Sequence, residues 1–271
     1  MRYICSNGVF ADAALPAIDA ANKSYRYGDG FFETIRVHHA QVPLWELHRE
    51  RILRSISLLE YVFAAGVTIE QLYDQLLDLC ARNQCAAQAR VRISFSNGNG
   101  GLFDPSRVHY LIEAHPFTTP AADEGLSLGI YNELQKDAHR FSPLKLSNGF
   151  IYSRAAQFCN RYHWDDCVIQ NKEGAAIETV ISNLFWIKNG EIFTPPVTDG
   201  CVAGVFRSYL LAAAPEITER SCTLNALKEA DELFLTNALR GIRKVRTFNG
   251  NTYASDRTAA LISRHQQQLF P

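Results

Sequence analysis

The chain has 271 residues, with 27 basic against 28 acidic side chains and a formal net charge of −1. Apolar residues make up 47% and charged residues 20%, which excludes a disordered, fibrous or disulfide-dense miniature protein and is enough for a sizeable core. The balanced charge offers no basic field for nucleic acid or an anionic membrane. The length favours two domains over one. Among the cations 20 are Arg and only 7 are Lys, so a lysine in an apolar stretch stands out.

Residues 2–10 alternate and meet Asn7-Gly8, which predicts a hairpin. A turn with two glycines, Gly28 and Gly30, leads into a strand over 31–37, and a further strand is predicted over 41–44. Apolar residues at Leu47, Ile52, Ile56, Leu59 and Val62 predict a helix within 44–65, and Thr68 is placed to cap a second one. Strands over 89–96 and 108–114 flank the glycine-rich loop 97–101, which lacks the strand–helix setting of a dinucleotide site. The proline-bearing stretch 115–125 reads as a linker. Beyond it the pattern predicts strands over 126–132 and 167–170, a helix over 148–162, and two apolar stretches within 176–188. Helices over 204–214 and 255–269 and a strand over 232–236 complete an α+β chain in two parts.

The seven cysteines are scattered and show no zinc spacing, so buried thiols in a reducing compartment are expected, with no metal. The N-terminus has no apolar signal core, and no stretch of about 18 apolar residues occurs. A cytoplasmic location is expected.

Four places could hold chemistry. Lys145 lies between Pro143 and a helix start with leucines on both sides. Desolvation disfavours its charged form, and a neutral amine is a nucleophile, although most lysines extend to water. Glu178 is an acid in an apolar run, which calls for a cationic partner: a ring nitrogen, or a structural arginine. Gly204-Val205-Phe206-Arg207 opens a helix, and Thr236-Asn237-Ala238 ends a strand; backbone amides at either turn could cradle a phosphate. Tyr27, Phe32 and Arg36 project from the glycine turn and its strand and could line a pocket, and Arg51 on the next helix is a candidate anion ligand.

These segments share an order: the tyrosine–glycine turn with its FFETIRV strand, the LHRERI helix, the lysine of LKLSN, then ETVISNLF, AGVFR and FLTNALRGI. From about Tyr25 to Val245 the chain resembles the class IV (fold-type IV) family of pyridoxal-phosphate enzymes. That family includes branched-chain aminotransferases, D-amino-acid aminotransferases and 4-amino-4-deoxychorismate lyases. The resemblance implies a D-amino-acid-aminotransferase-like fold. A smaller N-terminal α/β domain would span 1–114, and a larger C-terminal mixed α/β pseudo-barrel domain with the lysine would span 126–271.

The resemblance further implies that pyridoxal 5'-phosphate is the cofactor, that Lys145 is the Schiff-base lysine and proton shuttle, and that Glu178 pairs the ring nitrogen. Arg51 would hold the phosphate with the turns at Val205, Phe206, Asn237 and Ala238. Tyr27, Phe32, Arg36 and Arg92 would surround the substrate. The chain departs from relatives at several points. The arginines of the lyases' glycine loop are absent from 97–103, Phe150 stands where branched-chain enzymes have tyrosine, and Phe206 and Ala238 replace phosphate-binding threonines. The expected activity is transamination between a small or apolar amino acid and a 2-keto acid. Aminodeoxychorismate lyase activity, releasing pyruvate and p-aminobenzoate, is the alternative, and a non-catalytic relative of the fold is a third. A homodimer is expected.

Overall fold

The computed structural model describes residues 1–64, 66–118 and 124–270. Residues 119–123, within the expected 115–125 linker, lie outside the described residues. The chain divides into two compact units, Met1–Thr119 with Leu144–Asn148, and Pro120–Pro143 with Gly149–Pro271.

In the first unit, β1 (Tyr3–Ser6) and β2 (Val9–Asp12) form the expected hairpin. Asn7 and Gly8 take the two left-handed positions that a tight two-residue turn requires, at φ 48° and 83°. Then come α1 (Lys23–Tyr27), β3 (Gly30–His38), α2 (Trp45–Leu58), α3 (Ile69–Arg82), β4 (Gln88–Ser96) and β5 (His109–Pro116). The strands make one antiparallel sheet in the order β2-β1-β5-β4-β3. Thr68 and Gln71 form a reciprocal capping box at the start of α3.

The strand expected over 41–44 does not form. His39 and Ala40 are both left-handed, the chain doubles back, and Gln41 makes a single bridge to His38 before α2 begins. Along β3 the period of two places Phe31, Ile35 and Val37 in the core with residues of α2 and α3, and sets Phe32, Thr34 and Arg36 on the opposite face. Glu33 shares the core-facing set.

The second unit contains β6 (Leu126–Ile130), α4 (Phe150–Tyr162), β7 (Asp166–Gln170), β8 (Ala176–Thr179), β9 (Asn183–Lys188) and β10 (Glu191–Thr194). It continues with α5 (Val205–Ala213), β11 (Ile217–Glu219), α6 (Leu224–Lys228), β12 (Glu232–Asn237), β13 (Gly241–Phe248), β14 (Asn251–Thr252) and α7 (Asp256–Leu261). The sheet runs β11-β10-β9-β12-β13-β6-β7-β8, and β8 pairs back onto β9 at Glu178 and Asn183. That last pairing closes six strands into a pseudo-barrel, with Glu178 at the seam.

Strands β8, β9 and β12 are buried on both faces, which is why they read as continuous apolar runs rather than alternations. The closing helix expected over 255–269 is interrupted by a π-helical turn, Ile262–Gln266, which brings Gln266 to accept the Ile242 backbone N–H at 2.6 Å. Strand β13 was not expected: its pairing with β6 shifts register between Val245 and Thr247, which breaks the period of two.

Candidate active site

Strand β3 is an edge of its sheet, so its outer backbone groups need partners. The segment Leu144–Asn148 supplies them. Phe32 N–H donates to the Lys145 carbonyl at 2.9 Å, Ser147 N–H donates to Gly30 O at 2.9 Å, and Phe31 bridges Leu146. Gly30 cannot be replaced here, because a Cβ would lie 2.4 Å from Phe95 O. This pairing fixes the half-buried Lys145 with Nζ 4.7 Å from the Phe32 ring centre. The Arg92 guanidinium lies 3.7 Å from the same ring. Arg36 is buried on this sheet face, and desolvation lowers the pKa of both arginines. Tyr27, at the end of α1, is 44% exposed. The structure thus groups Lys145, Phe32 and Arg92 closely, with Arg36 four residues beyond Phe32 on the same face of β3.

Arg51 does not project alone. On α2 it forks onto Glu33, with Nε to Oε1 at 2.7 Å and Nη2 to Oε2 at 2.6 Å, and His48 Nδ1 lies 2.7 Å from Oε2. Glu33 is fully buried. Burial would raise its pKa, but the Arg51 charge and the hydrogen bonds from His48 and Arg51 hold it down at about 2. Burial lowers the His48 pKa against the pull of Glu33, and since Nδ1 faces a carboxylate oxygen it carries a proton and donates it. Sequence reasoning missed Glu33 and His48. The signal was present: an acid at the core-facing positions of the run Phe31-x-Glu33-x-Ile35-x-Val37.

In the second unit, Glu178 is 3% exposed and meets three donors. Lys136 Nζ and Tyr152 Oη both donate to Oε1 at 2.7 Å, and the Val202 N–H donates to Oε2 at 2.8 Å. Val202 also accepts from Asn183 Nδ2 at 2.7 Å. Two residues on, Gly204 packs against Asn183: a Cβ would sit 1.9 Å from Asn183 Oδ1, so any side chain there would push the Asn183 amide aside. Helix α5 then opens with no side-chain cap, so its first amides are offered to a ligand or to water. Phe206 is fully buried, leaving only its backbone amide for that role.

Asn237 shapes the neighbouring turn. Its Oδ1 accepts the Leu239 and Arg240 N–H groups at 3.1 and 2.8 Å, and its Nδ2 donates to Ser182 Oγ at 3.1 Å. Ala238, half-buried, keeps its amide out of that bonding. Thr236, paired in register with Asn183, has a buried hydroxyl with no hydrogen-bond partner among the described residues. An uncapped helix start, a glycine packed tightly against Asn183 and an orphaned hydroxyl fit a phosphate. Glu178 at the barrel seam fits a cationic ring nitrogen. Lys136 and Tyr152 were not found from sequence, and Lys136, 42 residues from its partner in irregular chain, leaves no periodic signal.

All seven cysteines are buried free thiols. Cys159, Asp166 and Cys167 lie close enough to hold an ion, but the Asp166 oxygens already accept the Cys167 and Val180 N–H groups and the Thr179 hydroxyl. That cluster is packing rather than a ligand set. No described helix is long and apolar enough to cross a membrane.

Several known enzymes are similar to this chain in sequence or fold. An aminodeoxychorismate lyase of Vibrio harveyi is 28% identical over 84% of this chain and 86% of its own length. The aminodeoxychorismate lyase of Bacillus subtilis is 26% identical over 99% and 94%. The branched-chain-amino-acid aminotransferase of Escherichia coli is 25% identical over 99% and 92%. Among solved structures, the branched-chain aminotransferase of Thermoproteus uzoniensis superposes with a TM-score of 0.87 at 20% identity, covering 98% of this chain and 94% of that one. The Escherichia coli enzyme gives 0.88 at 21% identity, covering 99% and 94%. The family model described as amino-transferase class IV matches residues 30–248, and the chain belongs to that family.

Proposed function

We propose that the protein is a pyridoxal-phosphate-dependent aminotransferase that moves the amino group of a small or apolar amino acid to a 2-keto acid. One observation carries the reading: an amine, Lys145 Nζ, is pinned by backbone pairing beside an aromatic ring that also holds a guanidinium, Arg92. When bound, the cofactor supplies the electron sink for the charge left by α-proton removal. Lys145 Nζ would hold the cofactor carbonyl, and as a free amine it would take and return the substrate α-proton. Glu178 holds the ring nitrogen in its protonated form. In the second unit the α5 amides at Val205 and Phe206 and the Asn237–Ala238 turn would take the phosphate; in the first, Glu33 keeps the candidate anion ligand Arg51 in one orientation. Arg92 and Arg36 meet the substrate carboxylate, and Phe32 and Tyr27 contact its apolar part.

The lyase reading stays open beside this one because relatives named aminodeoxychorismate lyase match at 28% and 26% identity. Mixing the loaded protein with alanine or leucine separates the two. Accumulation of the aminated cofactor with the matching keto acid supports transamination. No spectral change, with pyruvate formed from aminodeoxychorismate, overturns it. Seven buried free thiols fit a reducing, cytoplasmic setting. Exposed Leu15, Ile18, Tyr25, Leu102 and Phe103 on the first unit fit burial in a homodimer.

A further inference from the structure

Lys136 was singled out by nothing in the sequence, yet it lies at the centre of the Glu178 site. Its side chain is only 14% exposed. Nζ donates to Glu178 Oε1 at 2.7 Å, to Tyr152 Oη at 2.8 Å and to Ser142 O at 3.5 Å. Tyr152 Oη spends its single proton on the same Glu178 oxygen at 2.7 Å. The three groups therefore close a triangle. Both side-chain donors sit on Oε1, while Oε2 accepts one backbone amide among the described residues.

We infer that Lys136 is a positioning residue: through this triangle it fixes which oxygen of Glu178 faces the cofactor and lowers the proton affinity of the Glu178–ring nitrogen pair. The inference rests on the pyridoxal-phosphate reading above. Crowding both side-chain donors onto Oε1 leaves the remaining lone pair of Oε2 as the acceptor for a ring N–H. A carboxylate beside an ammonium is already neutralised, so adding a pyridinium leaves a net positive charge in a buried place. The proton shared by Glu178 and the ring nitrogen is then released at lower pH than a lone carboxylate would allow.

The other titratable groups nearby do not alter the sign. Burial, reinforced by Glu178, pushes the Cys201 thiol up to about 12, so it stays neutral. Arg207 is paired with Glu219 and the Pro195 carbonyl.

The test is a pH titration of the holoenzyme loaded with pyridoxal phosphate carrying ¹⁵N in the ring, read by the chemical shift of that nitrogen. Removing a cation this close should raise the midpoint for ring-nitrogen deprotonation in Lys136→Met by a pH unit or more. Tyr152→Phe, which deletes a donor to the carboxylate without deleting charge, should raise it less. Lys136→Arg should leave it in place. An unchanged midpoint in Lys136→Met overturns the inference; if that variant does not fold, an unchanged midpoint in Tyr152→Phe does so. Wild-type protein that takes up no pyridoxal phosphate overturns the functional reading beneath it instead.

Discussion

Each unit buries a strand glutamate against a cationic side chain, Glu33 in the first and Glu178 in the second, and these two are solvated by protein in opposite ways. Glu33 is met by a planar guanidinium fork that engages both oxygens and by an imidazole N–H, all from the helix packed against its strand. Glu178 is met by an ammonium and a phenol on one oxygen and by a backbone amide on the other. A fork on both oxygens satisfies a carboxylate completely and leaves it nothing to do but hold Arg51. A lopsided shell satisfies the charge and still leaves an acceptor position. The same residue type thus serves as a strut in one unit and as a candidate ligand in the other.

If that contrast is right, removing each acid should fail differently. Glu33→Gln leaves Arg51 buried without its counter-charge and should cost about 3–5 kcal/mol of stability, measured by urea unfolding. A loss under about 1 kcal/mol would mean that the fork is not structural. Glu178→Gln also leaves a cation, Lys136, without its counter-charge, but that side chain keeps 14% exposure, so the stability loss should be smaller than for Glu33→Gln. Turnover should fall on the order of 10²–10³-fold, because fixed charge is removed from where charge develops. Equal stability losses in the two variants would erase the distinction.

Acid sharpens it further. Glu33 has its pKa depressed from 4.5 to about 2 on folding, so its contribution is complete above about 4.5 and is lost as pH falls toward about 2. His48 is also depressed, from 6.5, and adds a loss of the same sign that begins below about 6.5, where the unfolded ring takes up a proton. Stability should therefore fall in two stages on acidification, and Glu33→Gln should flatten the lower one. The smallest effect concerns the turn beside Glu178. Gly204→Ala forces Asn183 off the Val202 carbonyl and should weaken cofactor binding by about 1–3 kcal/mol, read by titration with pyridoxal phosphate.

The sequence was most legible where chemistry is local. Asn7-Gly8 announces its turn, Thr68 with Gln71 its helix, and Gly204 the opening of α5. Glu178 was legible as an anomaly, because an acid in an apolar run must find a partner. Which partner was not legible. Lys136 approaches from an irregular stretch, and Tyr152 comes from the first turn of α4, so neither lies at a helical or strand spacing from Glu178. The segment over 41–44 misled for the converse reason: its composition suits a strand, but two left-handed residues before it turn the chain away. Lys145 also drew attention by scarcity, one of seven lysines, whereas its pairing with the open edge of β3 is a property of topology.

That scarcity also makes the central claim simple to test. The protein purified with pyridoxal phosphate is reduced with borohydride, digested and mapped by mass for the pyridoxyl group. The label is expected on Lys145 alone. A label on Lys136, the lysine paired with Glu178, or on no lysine at all, would contradict the assignment.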